Sequence, residues 1–339
     1  MKLRMKYRFI GKTISIGGAS QALAAIVIGL AGISAASAQA LYSVTDLGML
    51  PGYVSCVPYR MNDLVDVVGA CTPTPVDNYN GTAFVWRNGT MSAVGKLPKG
   101  TYSSATAINS HGAIIGVGDA GDPFHPQAWA TSPAGLQIFS TNSNIHPVFI
   151  GDNGMIGGYY VKSGIFRGAI WTVDPKDPRK YRSMDLPLWP SVIQNSQFPT
   201  TFNQSGQAAG WGNSDQIRGT QAFFWNNDAA HSIVLLGAFP GDQGSQAYGM
   251  NDLGQVVGLS FTPDAFTRAV VWNNDAAHTV IELPPLPGDN HAIVGRITNA
   301  GHVLGASYYE PPGTIYVNAP NPSLTSVETL CASSIVYAA

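Results

Sequence analysis

The chain has 339 residues, with 18 basic and 20 acidic side chains and a formal net charge of −2. With only 11% charged residues it carries neither the basic footprint of a nucleic-acid binder nor an acidic tail, which excludes nucleic acid as a partner. The 38 glycines and 23 prolines would read as disorder if scattered. They recur instead in step with β-branched and aromatic runs, and so mark turns.

Residues 1–40 read as a signal peptide. Lys2, Arg4, Lys6, Arg8 and Lys12 form a basic start, Ala22 to Ile33 is apolar, and Ala36-Ser37-Ala38 or Ala38-Gln39-Ala40 offers a cleavage site. A retained anchor is the alternative, because Thr13 to Ala40 is long enough to cross a bilayer core of about 30 Å. No later segment is a transmembrane candidate. Next comes Leu41-Tyr42-Ser43-Val44-Thr45-Asp46-Leu47, which has the pattern of the last strand of a unit whose other strands are missing. Cys56 and Cys71 lie equidistant from the turn at Asp63 and Leu64, and directly opposed strand positions can hold a disulfide. Two small buried apolar side chains are the alternative.

From here the chain repeats. The pattern N-x-x-G-x-Φ-Φ-G, Φ being apolar, begins at Asn62, Asn109, Asn203 and Asn251, with degenerate copies at Gly151 and Thr298. The closing glycines Gly69, Gly116, Gly158, Gly210, Gly258 and Gly305 are 47, 42, 52, 48 and 47 residues apart. In phase run Ala83-Phe84-Val85-Trp86, Ala128-Trp129, Ala169-Ile170-Trp171, Ala222-Phe223-Phe224-Trp225 and Ala269-Val270-Val271-Trp272, and loops such as Leu50-Pro51-Gly52 and Phe239-Pro240-Gly241. The cleanest copy, Gly244 to Leu283, divides into four short strands separated by Asn251-Asp252-Leu253-Gly254, a loop at Pro263, and Asn273-Asn274-Asp275. A period of about 40–50 residues with four strands per copy predicts a propeller blade. The fold expected is all-β, a six-bladed β-propeller over 41–318. Tyr42 to Leu47 would close the ring beside Thr314 to Val317, and 319–339 form a C-terminal tail that is either docked or disordered. An open β repeat array or solenoid is the alternative. Asp174 to Ser183 is expected as a charged, solvated loop broken by Pro175 and Pro178.

The loop Asp46-Leu47-Gly48-Met49-Leu50-Pro51-Gly52 and the hairpin Met250 to Gly258 resemble the HAF repeats of secreted bacterial proteins. That resemblance implies a β repeat fold and an extracellular or periplasmic location, and no defined activity. The histidine of the family pattern is replaced here by Thr82, Gln127, Gly168, Gln221 and Arg268, so a metal or catalytic role for that position is not expected.

Nucleophile elbows, phosphate loops and zinc spacings are absent from the sequence, and no cofactor or metal is expected. His231 and His278 fill identical slots after Trp-Asn-Asn-Asp-Ala-Ala. Equivalent slots on neighbouring blades are too far apart to share an ion, so the match is read as duplication. Binding residues are sought on the face that carries the unit-to-unit loops, with Asp242 and Gln243 after Pro240-Gly241, and Asn290 and Asp289 after Pro287-Gly288. The alternative for both acids is an Asx-turn. Off the repeat phase stand Trp189, Trp211, Tyr159, Tyr160, Tyr308 and Tyr309, candidates for ligand contact, whereas the in-phase tryptophans read as core. The function expected is a monomeric, exported, non-catalytic binding module for an extracellular polysaccharide or protein. The alternative is a polysaccharide hydrolase or lyase, for which Asp242 and Asp289 form the one repeat-related acid pair.

Overall fold

The computed structural model describes residues 45–74, 81–142, 144–189, 197–214, 219–264, 266–309 and 334–337, and its compact body begins at Asp46. Residues 1–40, expected as a signal peptide, lie outside this range. Among the described residues there are strands and no helix, and they form six antiparallel sheets in chain order. The first holds β1 (Ser55–Met61), β2 (Val67–Thr72), β3 (Thr82–Arg87) and β4 (Thr90–Gly95); the second β5 (Ser103–Ile108), β6 (Ile114–Gly118), β7 (Gln127–Ser132) and β8 (Gly135–Ser140). The third holds β9 (His146–Ile150), β10 (Ile156–Lys162), β11 (Ile165–Asp174) and β12 (Asp177–Asp185); the fourth β13 (Gln197–Phe202), β14 (Ala208–Ser214), β15 (Gly219–Trp225) and β16 (Ile233–Leu235). The fifth comprises β17 (Gly244–Met250), β18 (Val256–Phe261), β19 (Thr267–Trp272) and β20 (Val280–Leu283). The sixth has three described strands, β21 (His291–Ile297), β22 (Val303–Tyr308) and β23 (Ser334–Tyr337). The first strand of each sheet touches the first strand of the next, from β1 through β5, β9, β13 and β17 to β21. These are the blades of a six-bladed β-propeller, first strands innermost.

Three local devices explain the repeat. The unit-to-unit loop is a type II turn: Tyr53 N–H bonds Leu50 C=O at 3.1 Å and Asp242 N–H bonds Phe239 C=O at 2.9 Å, with proline second and a glycine at φ +85° (Gly52) or +91° (Gly241) third. The second device is a β-bulge in every innermost strand, where the register skips one residue: Tyr59, Thr106, Val148, Thr200, Tyr248 and Gly295. The bulge pushes a carbonyl toward the closing glycine of the repeat. A Cβ at Gly69, Gly116, Gly158, Gly210, Gly258 or Gly305 would stand 1.9 to 2.4 Å from the carbonyl oxygen of Val57, Ser104, His146, Phe198, Gln246 or Ile293.

The third device is the hairpin asparagine. Asn109 Oδ1 accepts from Ala113 N–H in its own turn (2.9 Å), while Nδ2 donates to Gly151 C=O of the next blade (2.9 Å). Asn62 donates likewise to Asn109 C=O (2.9 Å), Asn203 to Asn251 C=O (3.3 Å) and Asn251 to Thr298 C=O (3.1 Å). The asparagine therefore sets the turn and staples adjacent blades. In the first blade Val65 occupies the turn position that is glycine elsewhere, at φ +65°, a conformation a β-branched residue adopts at a cost of about 1–2 kcal/mol. Val65→Gly is expected to raise the unfolding free energy by about 0.5–1 kcal/mol, since glycine's greater freedom in the unfolded chain offsets part of the relief; chemical denaturation reads it.

Blades pack through shared apolar clusters. Val68, Ala83 and Val85 of the first meet Ala105, Ile108 and Trp129 of the second, and Ala209 and Phe224 of the fourth meet Met250, Val256 and Trp272 of the fifth. Trp86, Trp171, Trp225 and Trp272 hold one position, paired with the residue two before the closing glycine. Trp129 does not share it: it faces Gly116 itself, the place taken by Phe84 in the first blade. Cys56 and Cys71 are register partners joined by a disulfide.

Two expectations are corrected. Asp174 to Ser183 is no loop, since β11 and β12 extend as a hairpin through it, with Pro178 inside β12. The third strand of the sixth sheet comes from the tail: Tyr337 pairs with Val303 as Trp272 pairs with Val256, so Ser334-Ile335-Val336-Tyr337 fills the slot of Ala269-Val270-Val271-Trp272. Thr314 to Val317 and Tyr42 to Val44 fall outside the described residues.

Candidate functional site

Asp242 and Asp289 are in use within the fold. The Asp242 side chain is 3% exposed; Oδ2 accepts from Ser260 Oγ at 2.7 Å and Oδ1 from Arg268 Nε at 3.3 Å. Arg268 also bonds Glu282 Oε1 at 2.7 Å and lies over the Phe239 ring. Asp289 Oδ2 accepts from Ser307 Oγ, which in turn accepts from Leu286 N–H at 3.2 Å. Both acids thus tie the unit-to-unit turn to the second strand of the blade that follows it. The second blade inverts the arrangement: Asp119, fully buried beyond the end of β6, takes Thr101 N–H (2.7 Å) and Tyr102 N–H (2.8 Å) from the turn segment. Burial pushes the Asp119 carboxyl up, but these N–H groups and that of Gly121 outweigh it and hold it below the usual range. Gln243 is exposed and its N–H bonds Phe261 C=O; Asn290 N–H bonds Tyr308 C=O.

Trp189 packs on the core between the third and fourth blades, 6.2 Å from the Phe223 ring. Trp211 lies in different company. It faces Phe198 across β14 and β13, ring centroids 4.7 Å apart; Phe198 is 4.5 Å from Phe166 and 5.8 Å from Tyr159. Tyr159 in turn stacks on His146, its register partner, at 4.7 Å and 20°. Five rings from β9, β10, β11, β13 and β14 therefore form one cluster spanning the third and fourth blades, at the end that carries the unit-to-unit loops. The repeat does not require them: the equivalent pairs are Ser104 and Val117, Gln246 and Leu259, and Ile293 and Ala306. His146 is exposed and the other four rings are half-buried. Neither the Tyr159 hydroxyl nor the Trp211 indole N–H bonds another described residue.

The surrounding rings leave His146 and Tyr159 poorly solvated although His146 is exposed and Tyr159 half-buried. Desolvation lowers the His146 pKa and raises that of Tyr159. His146 is therefore neutral at pH 7, and its contribution to stability, present above the ordinary histidine value of 6.5, is lost as pH falls from there through its depressed pKa. Thermal unfolding at pH 7 and pH 5 is expected to show a larger loss for the wild type than for His146→Phe.

His231 and His278 both sit at φ +45° after Asp228 and Asp275, which cap the same turn, so they are turn residues. Among the described residues no three His, Cys, Asp or Glu side chains converge as a metal site would require. At the opposite end a cavity of about 580 Å³ is lined by Ser205, Gln207, Asn226, Asn227, Asp228, Asp252 and Asn274. Most of its polar groups are engaged, Asp252 with Asn299 and Gln204 N–H, Asn274 with Leu253 C=O, and Asp228 with Ser232.

No protein-family model matches the sequence, and no curated protein does. Among solved structures, TolB from Acinetobacter baumannii is similar at 11% identity and a TM-score of 0.42, covering 72% of this chain and 62% of that one. A Mycobacterium tuberculosis puromycin-hydrolyzing peptidase is similar at 10% identity and a TM-score of 0.49, over 75% of this chain and 41% of that one. Aleuria aurantia lectin in complex with Fucalpha1-6GlcNAc follows at 8% and 0.38, over 76% and 89%. The chain thus spans less than two thirds of the first two. The identities are too low to transfer a substrate.

Proposed function

We propose that this propeller is an exported, non-catalytic binding module of the HAF-repeat type, and that it holds an extracellular polysaccharide against the ring cluster of His146, Tyr159, Phe166, Phe198 and Trp211. One observation carries the reading: partly exposed aromatic rings, with a hydroxyl and an indole donor that bond no other described residue, come together where the repeat asks for neither. Aromatic rings hold the apolar faces of sugars, and such donors suit their hydroxyls. The competing reading, hydrolysis or elimination, needs a free carboxylate pair, in hydrolysis about 5–9.5 Å apart, and the two nominated acids are committed to turn closure.

Incubation of the purified protein with a polysaccharide panel, scored for retention and for released reducing or unsaturated ends, tests this. Retention without product is expected, weakened about tenfold by Trp211→Ala, the loss of roughly one aromatic contact, with the unfolding midpoint measured alongside. Product formation abolished by Asp242→Asn or Asp289→Asn would overturn the proposal, as would retention indifferent to Trp211.

A further inference from the structure

The ring cluster lies on the side of the third blade that faces the fourth. On the other side, β8 and β12, the outermost strands of the second and third blades, approach each other and leave a cavity of about 290 Å³. That is the lower end of the size range of small-molecule sites, about 300–1,000 Å³. Three rings form its apolar wall: Phe139 stands edge-on to Trp171, centroids 5.6 Å apart at 65°, and 5.5 Å from Tyr181. Trp171 and Phe139 are 1% and 8% exposed, so the core fixes the wall, and Tyr181 is half-buried. The polar lining is Thr141, Asn142 and Ser183 together with the Tyr181 hydroxyl. None of these side chains hydrogen-bonds another described residue. Burial pushes the Tyr181 phenol above its ordinary value, the mark of a hydroxyl held away from bulk water.

The repeat does not require this cavity. Trp225 and Trp272 make the last pairs of their hairpins, with Ile233 and Val280, whereas beyond Trp171 and Ser183 come Thr172 with Arg182 and Val173 with Tyr181. Tyr181 thus stands on a part of the hairpin that the fourth and fifth blades lack. Phe139 is the residue skipped in the register of β8 against β7, a bulge that turns it inward. Charge is distributed with the same selectivity. β12 is rich in charge, yet no residue lining the cavity is charged. Arg182, between Tyr181 and Ser183, bonds Asp174 at 2.9 Å, and Arg179 bonds Asp177 at 3.0 Å. The alternation of the strand sends hydroxyls into the cavity and a cation away from it.

We infer that this cavity is a carbohydrate subsite for a single uncharged sugar ring, held with its apolar face against Tyr181 and Phe139 and its hydroxyls on Thr141, Asn142, Ser183 and the Tyr181 hydroxyl. Rings along one wall and neutral hydroxyl and amide groups beside them match a ligand that has an apolar face and a rim of hydroxyls. A uronic acid or a phosphate would enter without a counter-charge among the lining residues, at a desolvation cost that nothing there offsets. The subsite shares no residue with the ring cluster, so it goes beyond the function proposed above and stands or falls separately.

Titration of the purified protein with the methyl glycosides of glucose, galactose, mannose, fucose, xylose and N-acetylglucosamine, read by saturation-transfer NMR and calorimetry, tests this. At least one is expected to bind with a dissociation constant of about 1–10 mM, the range for a ligand of this size on one site. Tyr181→Phe keeps the ring and the packing and removes only the hydroxyl; it is expected to weaken binding about threefold to tenfold. Tyr181→Ala is expected to weaken it by more than about tenfold, and Lys180→Ala, at an exposed neighbour, to leave it unchanged. The same titration on Trp211→Ala separates the two sites: binding that vanishes there and survives Tyr181→Ala would belong to the ring cluster and overturn the subsite. A panel of which no member binds would overturn it too, as would cyclohexanol or glycerol binding as well as any sugar.

Discussion

Gly210→Ala is expected to destabilise the protein by more than about 4 kcal/mol, enough to abolish soluble expression or to remove most of the unfolding transition. The new Cβ would stand 1.9 Å from Phe198 C=O and 2.7 Å from Pro199 Cα, both backbone atoms, and neither can rotate away as a side chain would. Relief requires the bulge at Thr200 to flatten. That would shift one side of β13 by one residue and turn either Phe202, buried at the junction with the third blade, or the buried Gln197 to the opposite face. Gly237→Ala is the control. Gly237 has φ +74° and open space around it, so alanine there meets only the left-handed backbone penalty of about 1–2 kcal/mol. Denaturant midpoints of the two variants measure the difference, and similar values would show that the bulge is softer than the geometry implies.

Asn109→Asp isolates the staple between blades. The substitution is isosteric and leaves Oδ1 accepting from Ala113 N–H, so the turn survives. It replaces the donor that faces Gly151 C=O with a carboxylate oxygen, at a side chain 5% exposed. A buried anion facing a carbonyl oxygen is expected to cost about 3 kcal/mol at neutral pH. Burial and the facing carbonyl push the introduced carboxyl above the ordinary aspartate value of about 3.9, and its protonated form restores a donor. The deficit relative to wild type should therefore shrink as pH falls toward 4. An equal deficit at pH 7 and pH 4.5 would mean that the staple contributes through shape rather than through hydrogen bonding.

These two residues also mark how far the sequence could be read. Asn109 and Gly210 stand out because their own turn and bulge require them within a few positions, and a local requirement met by asparagine in four copies and by glycine in six leaves a visible period. The second bond of Asn109 reaches a carbonyl 42 residues away, and no local pattern carries it. Asp242 shows the same boundary: the turn beneath it was legible in Phe239-Pro240-Gly241, but its partner Ser260 lies 18 residues on, so a tie looked like a free acid. Trp129 reads as in phase because Ala128-Trp129 matches the other copies, while its strand pairs two residues out of step. The tail can be read as docked but not as a third blade strand, because Tyr337 stands where tryptophan is the marker. Trp211 and Tyr159 were visible as aromatics off the repeat phase. His146, Phe166 and Phe198 were not, since a ring in a strand reads as core until the neighbouring blade is in place.

The extended β11–β12 hairpin has a bearing on how the molecule behaves among its own kind. The last strand of each four-stranded blade has no partner on its outer side within the sheet, an invitation to strand-by-strand association. β16 offers three residues and β20 four, too short to recruit much, but β12 offers nine. That strand and the turn before it carry Lys176, Asp177, Arg179, Lys180 and Arg182, the densest charge in the described chain, and Arg179 holds the Asp177 carboxyl down at about 2. Fixed charges of both signs on the longest open border discourage a second molecule from zipping alongside, and that guard persists well into acid. A stretch whose one tie to the core is the Tyr181 ring, 5.5 Å from Phe139, thereby helps keep a protein with so few charges from polymerising.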